Sequence, residues 1–154
     1  MDAFFENPIA LLFASYGIGA SITGVIQSRA WFASITNYNW LNDKWTKYLG
    51  VLLLGKIIIA TPLRIFNPKL YLKRRPKEKE LLQMKKDMDG AEIGHLIGFI
   101  VLLILCVVYI FIGKSWKLIL GLFLMNIVLN LYLVFLQQYN KRRVNRLLKV
   151  YRRR

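Results

Sequence analysis

Residues 93–113 form an apolar run of twenty-one residues in which His95 is the only side chain that ionises near neutral pH. As a helix, such a run is long enough to cross bilayer hydrocarbon about 30 Å thick. A soluble helix would instead wet one face every few residues. Lys114, Trp116 and Lys117 follow as interfacial anchors. Residues 118–136 supply a second crossing, interrupted by Asn126 and Asn130, and the short turn between the two runs makes them an antiparallel hairpin.

Two earlier runs are weaker. Residues 48–66 are apolar but carry Lys56 and a Thr61-Pro62 step, which predicts a short or kinked span. Residues 9–26 contain Gly17, Gly19, Ala20, Ser21 and Gly24, small side chains that let another helix approach closely. The expected fold is all-α: a single polytopic membrane domain of about four transmembrane helices, the first of them alternatively re-entrant. The mixed charges and Leu81, Leu82, Met84 and Met88 predict a short amphipathic helix lying at the interface over residues 77–89. Trp31, Trp40 and Trp45 suit a headgroup-level segment.

The formal charge of +15 is gathered beside the apolar runs, so anionic membrane lipid, and not nucleic acid, is the expected electrostatic partner. Nine Lys and Arg residues fall within 64–86, and the tail over 141–154 is equally basic. Two crossings separate them, so the basic loop (67–90) and the C-terminus both belong on the cytoplasmic side of a bacterial plasma membrane. Four spans would also put the N-terminus there, yet the first eight residues have no Lys or Arg while 27–47 have three. The lone Cys106 excludes an intrachain disulfide and reads as a small apolar side chain.

Glu92 and His95 stand three residues apart, on one helix face at the boundary of the 93–113 span. An ionisable pair at a membrane span suggests a general base with a carboxylate to orient it. It is equally readable as an imidazole in headgroup water beside a favourable first-turn anion. One Glu-x-x-His supplies too few ligands for a metal, and none is expected. Asn126, Asn130 and Gln137 share a stripe of the last span, with interhelical hydrogen bonding the preferred role for Asn126. Antiparallel geometry brings Gln137, Gln138, Tyr139 and Asn140 level with Glu92 and His95. Arg142 and Arg143 extend that cluster into water, where a guanidinium can hold phosphate or serve as a topological anchor. Lys56 either snorkels to the interface or points into the cluster.

The stretch Ala91-Glu92-Ile93-Gly94-His95, followed by Asn130 and by Gln137-Gln138-Tyr139-Asn140-Lys141-Arg142-Arg143, resembles the bacterial glycosyl-diaponeurosporenoate acyltransferases. These are small membrane enzymes of the staphyloxanthin carotenoid pathway that esterify a sugar hydroxyl on a lipid-like acceptor with a fatty acyl chain. The similarity covers roughly the last sixty-five residues, with a looser likeness from Lys56 to Pro62. The resemblance implies a membrane acyltransferase that uses acyl-CoA or acyl carrier protein as donor and no metal or redox cofactor. It places Glu92, His95, Asn130, Gln137, Tyr139, Asn140 and Arg143 at matching positions. In such an enzyme His95 would act as general base and Glu92 would orient it. Gln137, Tyr139 or Asn140 would stabilise an oxyanion, and Arg142 or Arg143 would hold phosphate on the acyl carrier. The competing readings are a small non-enzymatic membrane subunit and, last, a transporter component; a homo-oligomer is compatible with all three.

Overall fold

The computed structural model describes residues 2–36, 38, 40–61 and 76–152. Every regular element among them is helical: α1 (Asp2–Phe5), α2 (Pro8–Ile26), α3 (Phe32–Ile35), α4 (Asp43–Tyr48), α5 (Val51–Ala60), α6 (Glu78–Phe111), α7 (Trp116–Asn126), a π-helical segment (Ile127–Leu131) and α8 (Tyr132–Tyr151). Local signals set the ends. The Asn7 side chain accepts hydrogen bonds from the amides of Ile9 and Ala10, with Pro8 in the first turn of α2. Glu80 accepts from the Lys77 amide at the start of α6. Gly113, at a φ of 71°, closes α6 in a left-handed turn in which the amides of Gly113 and Lys114 reach back to Ile110 and Tyr109.

Three helical stretches are long and apolar enough to cross a membrane: Pro8–Ile26, Glu78–Phe111 and Trp116–Tyr151. The expected run over 48–66 yields only the ten-residue α5 among the described residues, about 15 Å of helix, half of what hydrocarbon requires. Val51 and Ile58 of α5 pack on Leu136 of α8. The end of that run, and residues 67–75 of the basic loop, lie outside the described residues, so a fourth crossing is not confirmed.

The first run is one continuous helix and not a re-entrant segment, and it lies antiparallel to α6 along its whole length. Tyr109 donates to the Phe5 carbonyl and Lys114 pairs with Glu6 at one end, while Gln27 donates to the Lys86 carbonyl at the other. Between these points Ser15 faces Gly98, Gly19 and Thr23 face Gly94, and Gly90 lies against Gln27, so that stripes of small residues at four-residue spacing meet along the seam. Of the five small residues expected to form this face, Gly19 is the one buried in it; Gly17 and Gly24 face open space. The arrangement puts residues 2–6 at the end opposite the basic tail, in keeping with an N-terminal segment that carries Asp2 and Glu6 but no Lys or Arg.

A helix lying in the interface over 77–89 does not form. That segment is the first part of α6, which continues for thirty-four residues, about 51 Å. Nothing between Lys77 and Ile93 breaks it, and Leu81, Met84 and Met88 find apolar partners in Val144 and Leu148 of α8 instead of lipid. The basic tail is likewise helical to Tyr151, whose hydroxyl donates to the Pro76 carbonyl. The two helices project beyond the hydrocarbon as a pair.

A Cβ at position 19 would collide with the Gly94 carbonyl oxygen, whereas one at position 17 would meet nothing within 4 Å among the described residues. Gly19→Ala should destabilise the bundle by about 1–3 kcal/mol, the usual cost of overpacking. Gly17→Ala should be neutral or slightly stabilising, both read by unfolding in micelles.

Candidate active site

The α6–α8 junction carries two polar layers one helical turn apart. In the deeper layer, His95 Nδ1 lies 3.4 Å from Asn130 Oδ1. Asn130 Nδ2 donates to Asn126 Oδ1 at 2.8 Å, and Asn126 Nδ2 donates to the Phe99 carbonyl at 3.0 Å. Both asparagines are fully buried. Gly98 makes room for them: a Cβ there would lie 3.1 Å from Asn130 Oδ1. Tyr16 of α2 closes the layer, its ring edge-on to the imidazole with centroids 5.3 Å apart and its hydroxyl donating at 2.7 Å to the Leu129 carbonyl in the π-helical segment. Such π segments interrupt α-helices mainly where a site requires them.

The outer layer is ionic. The Lys141 ammonium pairs with Glu92 and, at 3.1 Å, with Asp89, and it donates to the Thr36 carbonyl at 2.6 Å. Lys85 reaches Asp89 at 3.3 Å from the partly exposed side. The second Glu92 oxygen accepts from Gln138 Nε2 at 2.9 Å, and Gln138 Oε1 accepts from the Trp40 amide at 3.1 Å. Two cations thus face two anions in a site from which water is nearly excluded, the arrangement that makes a buried charge tolerable. Both carboxylate oxygens of Glu92 are engaged with α8, so the group hydrogen-bonded to the imidazole is Asn130 and not Glu92.

The remaining expected residues separate into groups. Gln137 and Asn140 are buried on α8, and Gln137 Oε1 and Asn140 Nδ2 have no hydrogen-bond partner among the described residues. Tyr139 is half-buried, with the guanidinium carbons of Arg142 and Arg143 at 5.8 and 5.9 Å from its ring centre. Arg142 is not free for phosphate: its nitrogens meet Asp43 at 2.7 Å, the Leu41 carbonyl at 2.7 Å and the Thr46 hydroxyl at 2.9 Å. That guanidinium holds the Asp43 carboxyl below its ordinary value of 3.8, so the clamp is fully present above that pH and fades only on further acidification. Arg143 is exposed, and so is Lys56 on α5.

Sequence reading did not single out Lys141, Asp89, Tyr16 or Gly98 as part of the site. One signal was present for Lys141. Positions 134, 138, 141, 144 and 148 of α8 share a stripe that is otherwise Val, Gln, Val and Leu, and a cation in such a stripe requires a buried anion opposite. No comparable signal marks Tyr16, whose contacts in the site come from distant parts of the chain, His95 and Leu129.

The protein-family model described as CrtO, glycosyl-4,4'-diaponeurosporenoate acyltransferase, matches residues 28–150, well beyond the C-terminal stretch that carries the resemblance in sequence. No curated protein and no solved structure matches the chain.

Lys141→Met removes the cation between two buried carboxylates and should cost about 3–5 kcal/mol. Combining it with Glu92→Gln should recover much of that loss in the same denaturation assay, because Asp89 keeps Lys85 as its partner and no charge in the layer is then left uncompensated.

Proposed function

Since the chain belongs to the glycosyl-4,4'-diaponeurosporenoate acyltransferase family, a group of membrane acyltransferases of carotenoid biosynthesis, we propose that it moves a fatty acyl group from a thioester to a hydroxyl of a glycosylated, lipid-like acceptor. The observation that carries this reading is the placement of the chain's single histidine. His95 sits in the deeper layer of the α6–α8 junction, hydrogen-bonded to the buried Asn130 amide, with unpartnered polar atoms of Gln137 and Asn140 further along α8.

The chemistry follows from those groups. His95 takes the proton from the acceptor hydroxyl as its oxygen attacks the thioester carbonyl, a step that general-base catalysis accelerates. The resulting oxyanion needs a donor, and the unpartnered Asn140 amide suits that role, with Gln137 and Tyr139 beside it. Collapse of the tetrahedral species breaks the C–S bond, and the imidazolium returns its proton to the departing thiolate. Coenzyme A or acyl carrier protein would present the thioester, its phosphate meeting Arg143, because Arg142 is committed to Asp43 and Thr46. Glu92 then serves by locking α8 through Lys141 and Gln138, not by touching the imidazole. The basic end of the bundle would face the cytoplasm and its anionic lipid, where a soluble acyl donor is available.

His95→Ala should reduce acyl transfer by at least about 10²-fold, and Asn140→Ala by a comparable factor if it serves the oxyanion. Mass spectrometry of lipids from cells with wild-type or variant protein reads the acylated product directly. Undiminished product with His95→Ala would exclude the enzymatic reading.

A further inference from the structure

The deeper polar layer contains a fixed point. The Phe99 carbonyl can only accept, so the Asn126 group facing it at 3.0 Å must be the amide nitrogen. Asn126 Oδ1 is then turned toward Asn130, whose nearest group must be its own nitrogen, at 2.8 Å. That leaves Asn130 Oδ1, a pure acceptor, against His95 Nδ1. Flipping either amide would set two carbonyl oxygens against each other. Asn126 and Asn130 are both 0% exposed, so water cannot relieve such a clash. The Tyr16 hydroxyl donates to the Leu129 carbonyl and does not compete for the imidazole.

From this chain of contacts we infer that Asn126 and Asn130 form a polarity relay, anchored on the Phe99 carbonyl, that holds the proton of neutral His95 on Nδ1 and presents Nε2 as the basic nitrogen. Free imidazole side chains favour the opposite tautomer, with the proton on Nε2, which cannot accept one there. The relay also has the same form in both charge states, because Nδ1 is a donor in neutral imidazole and in imidazolium alike. Asn130 therefore keeps its bond while Nε2 gains and loses a proton, and no dipole has to turn during the transfer. Asn126 and Asn130 are positioning residues in this account; of the three, only His95 meets the substrate. The inference rests on the proposed role of His95 as base, but its structural half can be measured without turnover.

Because the chain has one histidine, protein purified without a polyhistidine tag and labelled with 15N-histidine reports a single site. Nitrogen chemical shifts above the imidazole's titration range distinguish the two tautomers. Wild-type protein should show Nδ1 protonated and Nε2 bare. Asn126→Leu, which removes the anchor and lets Asn130 turn, should shift the population toward the Nε2-protonated form. It should lower kcat roughly 10–100-fold, as loss of a group orienting a histidine typically does, with KM little changed. Asn126→Asp, neutral in so buried a place, keeps one donor and one acceptor and should restore the wild-type tautomer. An Nε2-protonated imidazole in wild-type protein would overturn the relay, as would an unaltered tautomer in Asn126→Leu. Should Asn126→Leu fail to fold, the wild-type and Asn126→Asp spectra still decide. A correct tautomer combined with full turnover in His95→Ala would instead overturn the catalytic reading and leave the relay standing.

Discussion

An ammonium group almost wholly withdrawn from water must be neutralised where it lies, and Lys141 is neutralised only where three parts of the chain converge. Asp89 and Glu92 come from α6, the Thr36 carbonyl from the connection that follows α2, and the lysine from α8. None of these partners can slide by a turn without leaving a bare charge, so the contact fixes the register of α8 on α6. The rest of the site inherits that register. Gln138 reaches Glu92, Asn130 comes level with His95 one turn deeper, and Arg142 is carried outward to the loop around Asp43.

The other half of the bundle is held differently. Between helices in lipid there is little hydrophobic drive, because a leucine is as well solvated by acyl chains as by another leucine. Close backbone approach takes its place along Ser15, Gly19 and Thr23 against Gly98 and Gly94. The same seam brings the Tyr16 ring to the imidazole, so packing of the first helix and geometry of the deep polar layer are one arrangement.

Much of this was legible in the amino-acid sequence. Uninterrupted apolar length revealed the α6–α7 hairpin and the first crossing, since length against hydrocarbon thickness is a strong constraint. Antiparallel geometry put Glu92 and His95 level with residues 137–140 of the last helix; Glu92 does meet Gln138 there, whereas His95 meets Asn130. What was not legible has physical causes. The segment over 77–89 has the composition of a surface helix, and only the opposing Val144 and Leu148 turn it into a continuation of α6. The partner of the imidazole is chosen by depth and rotation, which spacing along one helix does not specify, so Asn130 takes the place that proximity in sequence gave to Glu92. The π-helical segment over Ile127–Leu131 has no compositional mark, and a fourth crossing is not confirmed, because among the described residues the apolar run around Lys56 yields only the ten-residue α5.

The unbroken course of α6 from Glu78 to Phe111 has a mechanical consequence. Without a hinge where the helix leaves the hydrocarbon, its waterborne part and the imidazole are rigidly joined, and neither can bend to suit a thicker or thinner bilayer. Mismatch must then be absorbed by tilting the whole assembly or by deforming the lipid around it. Bilayer thickness therefore sets how deep the two polar layers of the α6–α8 junction sit.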